Sequence, residues 1–363
     1  MTDAMGFEPD PPVRSRGLRI GCIGAGMIMA NCHLAAYQLA GFEVVCIASR
    51  TRANAQKVAD RWSIPVVHAT PEDLIADPSV QIVDIAYPPD LQPALIRAAL
   101  AQPHVRGILA QKPLALTLAD AIALRDEAAA AGKVLSVNQN MRYDQSMRVL
   151  KQLIGRGDLG DIVFAQIDMH AIPHWQGFLA GYDRLTLANM SVHHLDILRF
   201  LFGDPDEITT VARPDPRTSF PHTDGITVST LRFPSGVLAL SLEDVWTGPR
   251  QEGYPDDQHI RWRVEGTGGT ARGTIGWPAG AASTLEYASS ATTGGEWVSP
   301  DWDSMWFPHA FIGVMEQLQH ALETGTAPAL TVADNVRTVQ LIEAGYRSMA
   351  ERRTVNLSEI STD

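Results

Sequence analysis

The sequence predicts two domains, an N-terminal α/β domain with a doubly wound parallel sheet and a C-terminal α+β domain with a large, open, mainly antiparallel sheet. Its 363 residues are more than one hydrophobic core usually serves. Apolar runs alternate with helical patterns up to residue 138, and strand patterns then follow one another with few helices between them. We therefore place the domains at residues 18–140 and 141–363, after a loose tail at residues 1–17.

The first domain is expected to alternate strands with helices. Strands are predicted at residues 18–23, 44–48, 82–86, 107–110 and 134–138, and helices at 27–40, 53–62, 91–101 and 118–131. Thr117 and Asp120 mark the start of the last of these helices, and Gly132 marks its end. Helices that connect successive strands in this way are the crossovers of a parallel sheet.

The second domain is expected to be rich in strands. Helices are predicted at residues 144–155, 190–202, 307–323 and 332–350, and strands at 162–169, 207–212, 225–233, 237–245, 259–264 and 269–275. Turn sequences such as Pro234-Ser235-Gly236 separate the strands, which favours an antiparallel meander. We expect the last helix to pack back on the first domain.

Charge and composition exclude some classes of partner. The net charge of −12 would repel a phosphate backbone, so no nucleic acid is expected to bind. No apolar run approaches the roughly 20 residues that a membrane helix needs. Cys22, Cys32 and Cys46 are expected to be reduced core residues, and residues 1–16 lack the apolar segment of a secretion signal. We therefore expect a cytoplasmic protein.

A glycine turn, Gly24-Ala25-Gly26, stands between the first predicted strand and helix. Glycine allows a tight turn there, and the free N–H groups of the following helix can bind a pyrophosphate. With a strand before it and a helix after it, the turn indicates a Rossmann domain that binds a dinucleotide. Met27 and Ile28 begin the helix and join both glycines as expected cofactor contacts. Met29 departs from the usual pattern, which has a small residue at that position.

The end of the second strand bears on the choice between NAD and NADP. An acidic residue there binds the ribose hydroxyls of NAD, whereas an arginine suits the 2′-phosphate of NADP. This chain has Ser49-Arg50-Thr51 and no acid. Arg50 can also stack on the adenine of either cofactor. Ser49 and Arg50 are therefore expected cofactor contacts, with NADP slightly favoured and NAD left open.

The sequence Gln111-Lys112-Pro113 directly follows the strand predicted at residues 107–110. It therefore stands at the carboxyl edge of the sheet, where such sheets bind their ligands. Lys112 can hold a substrate hydroxyl there and stabilise the alkoxide that precedes hydride loss. The alternative is a solvated surface lysine.

A third group is predicted on the helix that starts near Asn189. Spacings of four and three residues place Asn189, His193 and Asp196 on one helical face, where they can converge on one point. His193 is the candidate base and Asp196 the group that orients its ring. A structural role for His193 is the alternative, and His194 is expected to point elsewhere and pack.

These motifs together resemble those of the Gfo/Idh/MocA oxidoreductases, over essentially the whole chain. That family has a glycine-rich first turn, a Glu-Lys-Pro sequence and a helix motif Asp-x-Gly-x-His-x-x-Asp, which correspond here to residues 111–113 and 189–196. The resemblance implies that Lys112 and His193 lie beside the nicotinamide and act on a sugar or polyol hydroxyl. Gln111, Asn189 and Ser191 depart from the motifs. Asn189 cannot act as a carboxylate, although it can hydrogen-bond a hydroxyl.

The resemblance implies further contacts. Cofactor contacts are implied at Tyr87, Pro88, Gln111, Lys112 and Asn140, and substrate contacts at Lys112, Arg142, Tyr143, Asp168, His174, Trp175, Asn189, His193 and His309. His170 and His174 suggest a metal pair, but no third ligand follows with convincing spacing, so no metal is expected. The family's open sheet also implies a homodimer or homotetramer.

Several motifs, including residues 138–145 and 171–175, are similar to those of a bacterial subgroup that includes D-apiose dehydrogenases. This similarity implies oxidation of a cyclic pentose to a lactone with NAD, which opposes the NADP preference drawn from Arg50. Two other functions stay open. One is a non-catalytic ligand sensor on the same fold, which would be expected to lose Lys112 or His193. The other is a lyase or epimerase that recycles a tightly held cofactor.

Overall fold

The computed structural model describes residues 5–171, 177–245, 258–276 and 281–362, and the chain divides into two compact units. The first unit comprises Pro11–Tyr143 and Phe307–Val339, together with the extreme C-terminus. The second comprises Met1–Asp10, Asp144–Trp306 and Gln340–Ser361. The change from one unit to the other at residue 143 lies close to the predicted boundary, but residues 307–339 belong to the first unit.

Six strands build the sheet of the first unit. They are β1 (Ile20–Ile23), β2 (Val44–Ala48), β3 (Val66–Val67), β4 (Ile82–Ile85), β5 (Gly107–Gln111) and β6 (Val134–Asn138). All pairings are parallel, in the order β3-β2-β1-β4-β5-β6. The predicted doubly wound sheet is confirmed. In such an order ligands bind at the carboxyl ends of the strands, near the switch point between β1 and β4.

The helices are α1 (Leu34–Ala40), α2 (Arg52–Trp62), α3 (Pro71–Ile75), α4 (Gln92–Leu100), α5 (Leu118–Ala130), α6 (Gln145–Arg156), α7 (Thr186–Asn189), α8 (Ser191–Phe202), α9 (Trp306–Thr324) and α10 (Val332–Glu351). The core of the first unit lies between its sheet and helices, with Ile85, Ile96 and Ile108 fully buried. None of the helices within the described residues has the length and apolar character of a membrane span.

Several elements differ from the prediction. The strand β3 and the helix α3 were not predicted, because two and five residues are too short for a periodic pattern. The helix predicted at residues 27–40 contains a π-helix, Met29–His33, before α1. The expected loose tail at residues 1–17 is wrong for the part described. Phe7 is 1% exposed and packs under the Arg156 guanidinium in the second unit, and Ser15 is buried in the first.

Among the described residues, eight strands form the sheet of the second unit. They are β7 (Ile162–Ala171), β8 (Glu207–Arg213), β9 (Ile226–Arg232), β10 (Leu238–Val245), β11 (His259–Gly266), β12 (Gly269–Ile275), β13 (Thr284–Ser289) and β14 (Val355–Asn356). Their order is β13-β12-β11-β7-β10-β9-β8-β14. Only the β7–β10 pairing is parallel among these strands. The mainly antiparallel sheet is therefore confirmed, and β13 and β14 were not predicted.

One face of this second sheet is buried and the other is accessible. Along β7, Ala165, Ile167 and Met169 are buried, whereas Gln166 and Asp168 between them are partly exposed. Side chains of a strand alternate between the two faces, so every second residue of β7 lies on the accessible face. The alternation of buried and partly exposed residues along β7 therefore identifies the side chains of this strand that face solvent.

Candidate active site

The two glycines of the first turn have different surroundings. Gly24 has a φ of +124°, and a Cβ atom there would lie 2.7 Å from the main-chain oxygen of Ala86, which follows β4. A Cβ atom at Gly26 would have no heavy atom within 4 Å. The turn is thus packed against the sheet at Gly24 and open at Gly26. An open backbone at the start of a helix fits the approach of a dinucleotide pyrophosphate.

The helix after this turn accommodates an unusual residue. Met29, at the position usually taken by a small residue, is fully buried and begins the π-helix. Met27 is exposed and Ile28 is partly buried. Ala30 N donates to Gly26 O at 2.9 Å, so regular helical bonding starts directly at the second glycine. The glycine turn therefore forms even though the large side chain of Met29 is buried directly after it.

Ser49, Arg50 and Tyr87 lie together at the carboxyl ends of β2 and β4. Ser49 is buried and Arg50 is exposed. Burial raises the pKa of Tyr87, which the neighbouring main chain and charge of Arg50 partly offset. Within the described residues, the buried Tyr87 hydroxyl has no hydrogen bond of good geometry. Ser49, Arg50 and Tyr87 therefore lie where a sheet of this kind binds its cofactor.

Lys112 follows β5 at the same edge of the sheet, and the side chain of Gln92 holds the loop that carries it. Gln92 is fully buried at the start of α4. Its Nε2 lies 2.8 Å, 2.7 Å and 2.8 Å from the main-chain oxygens of Gln111, Pro113 and Leu114. Its Oε1 accepts a bond from Gln111 N at 3.1 Å. One side chain thus fixes the main chain on both sides of Lys112.

The chemical state of Lys112 is perturbed by its surroundings. Burial lowers the pKa of its ammonium group to about 8. The Gln111 side chain bonds the main chain here, because Lys112 N donates to Gln111 Oε1 at 2.9 Å. A lysine with a lowered pKa at the ligand-binding edge of a sheet is typical of a functional site, so the solvated-surface alternative is not supported.

A buried polar cluster that the sequence did not indicate lies beneath Gln111. His33 Nδ1 lies 2.7 Å from Asp84 Oδ2, which also accepts a 2.7 Å bond from the Tyr37 hydroxyl. His33 Nε2 lies 3.0 Å from Asn138 Nδ2 and 3.5 Å from Gln111 Nε2. The cluster joins the helix after the glycine turn to the ends of β5 and β6.

The other candidates in the first unit lie near β6 and α9. Asn140, Arg142 and Tyr143 form a buried 3-10 turn. Arg142 Nη2 donates to Asp334 Oδ2 at 2.6 Å, so its guanidinium is already engaged by a carboxylate. The Tyr143 ring packs against Gly313. His309 is partly buried on α9.

The predicted arrangement of Asn189 and His193 on one continuous helix is wrong. The short helix α7 ends at Asn189, Met190 interrupts it, and α8 begins at Ser191. Asn189 Nδ2 donates to Leu185 O at 2.8 Å. An amide can donate this bond and a carboxylate cannot, which gives a local reason for asparagine where the family motif has aspartate.

His193 and Asp196 are both buried on α8. The His193 ring makes an edge contact with Trp306, with ring centroids 6.2 Å apart, and is 7% exposed. Asp196 Oδ1 lies 3.9 Å from Arg199 Nη1. The helix is buried nearly all round, from Ser191 to Arg199.

His194 anchors α8 to the second sheet. Its Nδ1 lies 2.7 Å from Glu243 Oε1, and both side chains are almost completely buried. Thr227 and Ser241 donate to the same carboxylate at 2.6 Å and 2.7 Å. Although burial alone raises the pKa of Glu243, the bond and charge of His194 together with these hydroxyls hold it below its usual range. His194 therefore packs, as predicted, and does so beside the Glu243 carboxylate.

The remaining candidates lie near the end of β7. Asp168 Oδ2 is 3.0 Å from His259 Nε2 on the accessible face of the second sheet. Asp168 also lines a cavity of about 800 Å³ with Arg261, Arg263 and Trp302. His174 and Trp175 lie outside the described residues, so their predicted substrate contacts stay predictions.

Comparison with protein families matches both units. A family model described as "Oxidoreductase family, NAD-binding Rossmann fold" matches residues 18–139. A second, described as "Oxidoreductase family, C-terminal alpha/beta domain", matches residues 151–357, more than half of the chain. Both belong to the Gfo/Idh/MocA group that the motifs indicated.

Individual relatives are more distant. The chain is 26% identical over 349 residues to D-apiose dehydrogenase of Rhizobium rhizogenes, covering 94% of this chain and 97% of that protein. It is 30% identical over 237 residues to 1,5-anhydro-D-fructose reductase of Ensifer adhaerens, covering 63% and 69%. A solved oxidoreductase from Agrobacterium radiobacter, in complex with NAD+, L-tartaric acid and magnesium, superposes with a TM-score of 0.80 at 24% identity, covering 95% of this chain and 99% of that one. That structure supports the fold alone.

Proposed function

Because the chain belongs to the Gfo/Idh/MocA family of oxidoreductases, we propose that it is an NAD(P)-dependent dehydrogenase that oxidises a hydroxyl group of a sugar or polyol. The observation that carries the proposal is Lys112, a lysine with a lowered pKa at the ligand-binding edge of the first sheet, in a loop fixed by a buried glutamine. Shifted pKa values cluster at functional sites, which supports a chemical role for Lys112.

The glycine turn, Ser49, Arg50 and the Tyr87 hydroxyl are the residues that would hold the dinucleotide. When bound, the nicotinamide supplies the hydride acceptor. His193 accepts the proton of the substrate hydroxyl, and charged Lys112 stabilises the developing alkoxide. The C–H bond of the substrate carbon breaks to release the hydride, and a carbonyl group forms. Asp196, three residues further along α8, is proposed to orient the His193 ring.

The proposed substrate is a cyclic aldose, with D-apiose first, oxidised at its anomeric carbon to a lactone. Its support is the similarity to D-apiose dehydrogenases over most of the chain. Other relatives act on inositol and anhydrofructose, by their names, so the substrate panel must include polyols.

A homodimer or homotetramer is proposed from the accessible face of the second sheet. Val211 and Leu238 on that face are 68% and 46% exposed. Apolar side chains on an open sheet favour association with a second copy. Light scattering of the purified chain tests this, and a monomer at micromolar concentration contradicts it.

The function is tested by incubating the enzyme with D-apiose, other aldoses and polyols, separately with NAD and NADP, and following the reduced nicotinamide by absorbance. The Lys112→Ala variant is expected to lose turnover by orders of magnitude and to keep NADH affinity, measured by fluorescence titration. Normal turnover in that variant removes Lys112 from the mechanism. A tightly retained dinucleotide without net reduction on any substrate favours a lyase or epimerase instead.

A further inference from the structure

We propose that Asp168, His170 and His259 form a binding site for a divalent transition-metal ion, with Zn²⁺ as the best-matched ion. The three residues lie in the second unit, on the accessible face of its sheet. Neither Lys112 nor His193 is one of its ligands, whereas Asp168 is also an implied substrate contact. The site does not depend on the dehydrogenase reaction.

The backbone register brings these side chains together. His170 on β7 and His259 on β11 are directly opposite in an antiparallel pair. Asp168 precedes His170 by two residues and therefore projects from the same face. Cβ atoms of directly opposite residues are roughly 5 Å apart, and diagonal neighbours remain within reach of long side chains. The pairing of β7 with β11 thus fixes a triangle of three potential ligands.

The side chains already point toward one another. One donor atom from each residue lies within 4.8 Å of the other two. His259 Nε2 is 3.0 Å from Asp168 Oδ2, and the imidazole rings of His170 and His259 have centroids 4.9 Å apart. Asp168, His170 and His259 are 24%, 42% and 12% exposed. In a single chain an ion therefore reaches these donors from the accessible face, which is also the face proposed above for contact between copies.

The donor set selects the class of ion. Two imidazole nitrogens and one carboxylate oxygen suit Zn²⁺, Co²⁺ and Ni²⁺ better than Mg²⁺ or Ca²⁺, which prefer oxygen ligands. Zinc is held at about 2.0–2.2 Å by such atoms, commonly with three protein ligands and a water in the fourth position. The open face of the sheet leaves room for that water.

Neighbouring charges support the site and limit its strength. Asp244 on β10 has Oδ2 3.7 Å from His170 Nδ1, where a carboxylate orients a metal-bound imidazole. Arg217 forms ion pairs with Asp244 and with Asp215, so its positive charge partly neutralises the carboxylate of Asp244. Arg261 lies opposite Asp168 in the register and opposes a cation. Arg261→Gln is therefore expected to tighten binding.

A second cluster, Cys46, His68 and Asp77 in the first unit, has donors at similar spacing but suits zinc less. Cys46 is completely buried, whereas the donors of the proposed site are partly exposed. Asp77 accepts bonds from both Ser79 N and His68. This cluster provides a matched control for the proposed one.

The test is calorimetric titration of the untagged, chelator-treated full chain with Zn²⁺, together with the visible spectrum of bound Co²⁺. We expect one Zn²⁺ per chain with a four-coordinate cobalt spectrum. His170→Ala and His259→Ala should each weaken binding roughly tenfold or more, and Asp244→Asn by a similar factor if it orients His170. His68→Ala should bind as the wild type does.

Absence of binding to the wild type overturns the proposal, as does unchanged affinity in the His170→Ala/His259→Ala double variant. Loss of the site in His68→Ala assigns the ion to the other cluster and equally overturns it. Circular dichroism checks that each variant folds. If His259→Ala does not fold, Asp168→Asn, which keeps the side-chain shape, decides the question by whether it weakens Zn²⁺ binding.

Discussion

The Gln92 side chain bonds the main chain on both sides of Lys112. Its carboxamide contacts Gln111 before the lysine and Pro113 and Leu114 after it. No motif marks Gln92, and it lies on a different element from the lysine. The position of the proposed catalytic ammonium group thus depends on a buried side chain far from it in sequence.

Replacing Gln92 tests this dependence. Gln92→Leu removes two N–H donors and one acceptor that the main chain around Lys112 uses, and each group left unsatisfied costs about 1–3 kcal/mol. A shift of the loop by about 1 Å is expected to lower kcat roughly 100-fold. Steady-state kinetics and thermal unfolding measure the two effects.

The matched control for that variant is Gln319→Leu. Gln319 is also a fully buried glutamine of the first unit that bonds a main-chain group, Leu18 N at 3.1 Å. The Gln319→Leu variant should have a lower unfolding temperature and an almost unchanged kcat. Equal losses of kcat in both variants would show that Gln92 acts only through stability.

The lowered pKa of Lys112 predicts a pH dependence. The charged form stabilises the alkoxide, so kcat/KM should fall as the pH rises above about 8, the pKa that burial gives this group. A pH–rate profile with the preferred sugar measures it. Lys112→Arg keeps its charge throughout that range, so its residual activity should lack the alkaline decline. A decline that persists in this variant would assign the titration to another group.

Arg50 predicts the cofactor preference. Arg50 is exposed after β2, Arg52 is exposed at the start of α2, and no acid follows the strand. Arg50→Asp should lower the ratio of kcat/KM for NADP to that for NAD by roughly tenfold or more, equivalent to about 1.4 kcal/mol. Lys57→Asp, an equal charge change further along α2, should leave the ratio unaltered. An enzyme that already prefers NAD and does not respond at Arg50 would contradict this role.

The His194–Glu243 pair predicts a contribution to stability. Glu243→Gln leaves a buried histidine without its charged partner, and breaking such a pair costs about 3–5 kcal/mol. The pKa of Glu243 is lower in the folded chain than in the unfolded one. Its contribution to the free energy of unfolding is therefore fully present at a pH above the usual carboxyl pKa and is lost as the pH falls through the lowered pKa. Urea unfolding across the acid range measures it.

Glu351→Gln is the control for that prediction. The pKa of this carboxylate is also lowered, by Arg347 and Arg353, but the group lies on the surface. Solvent screens such pairs, so the free energy of unfolding should change much less than in Glu243→Gln. If both variants unfold alike at every pH, the buried pair is not a major source of stability.

Regular periodicity made most of the fold predictable. The strands β1, β2, β4, β5 and β6 were predicted within two residues, because continuous apolar runs bounded by turns identify buried strands. Phe7 had no periodic context, so the packing of the tail was missed. The helix α7 before Met190 was also missed, because four residues are too short for a periodic pattern.

The site was predictable only where chemistry coincides with an element boundary. Lys112 follows a strand, and the structure places it at the ligand-binding edge. His259 approaches His170 through strand pairing, and His33 approaches Gln111 through the packing of a helix on the sheet. Such contacts join residues far apart in sequence, and no local pattern records them.

The three buried cysteines can be used to measure local opening of the first unit. Cys22, Cys32 and Cys46 are all buried in the first unit, and the sequence contains no others. Burial raises the pKa of each thiol, which makes them inert until the backbone around them opens. The rate of thiol labelling therefore measures opening of the dinucleotide-binding unit alone, and a cofactor that binds there should slow it in proportion to its affinity.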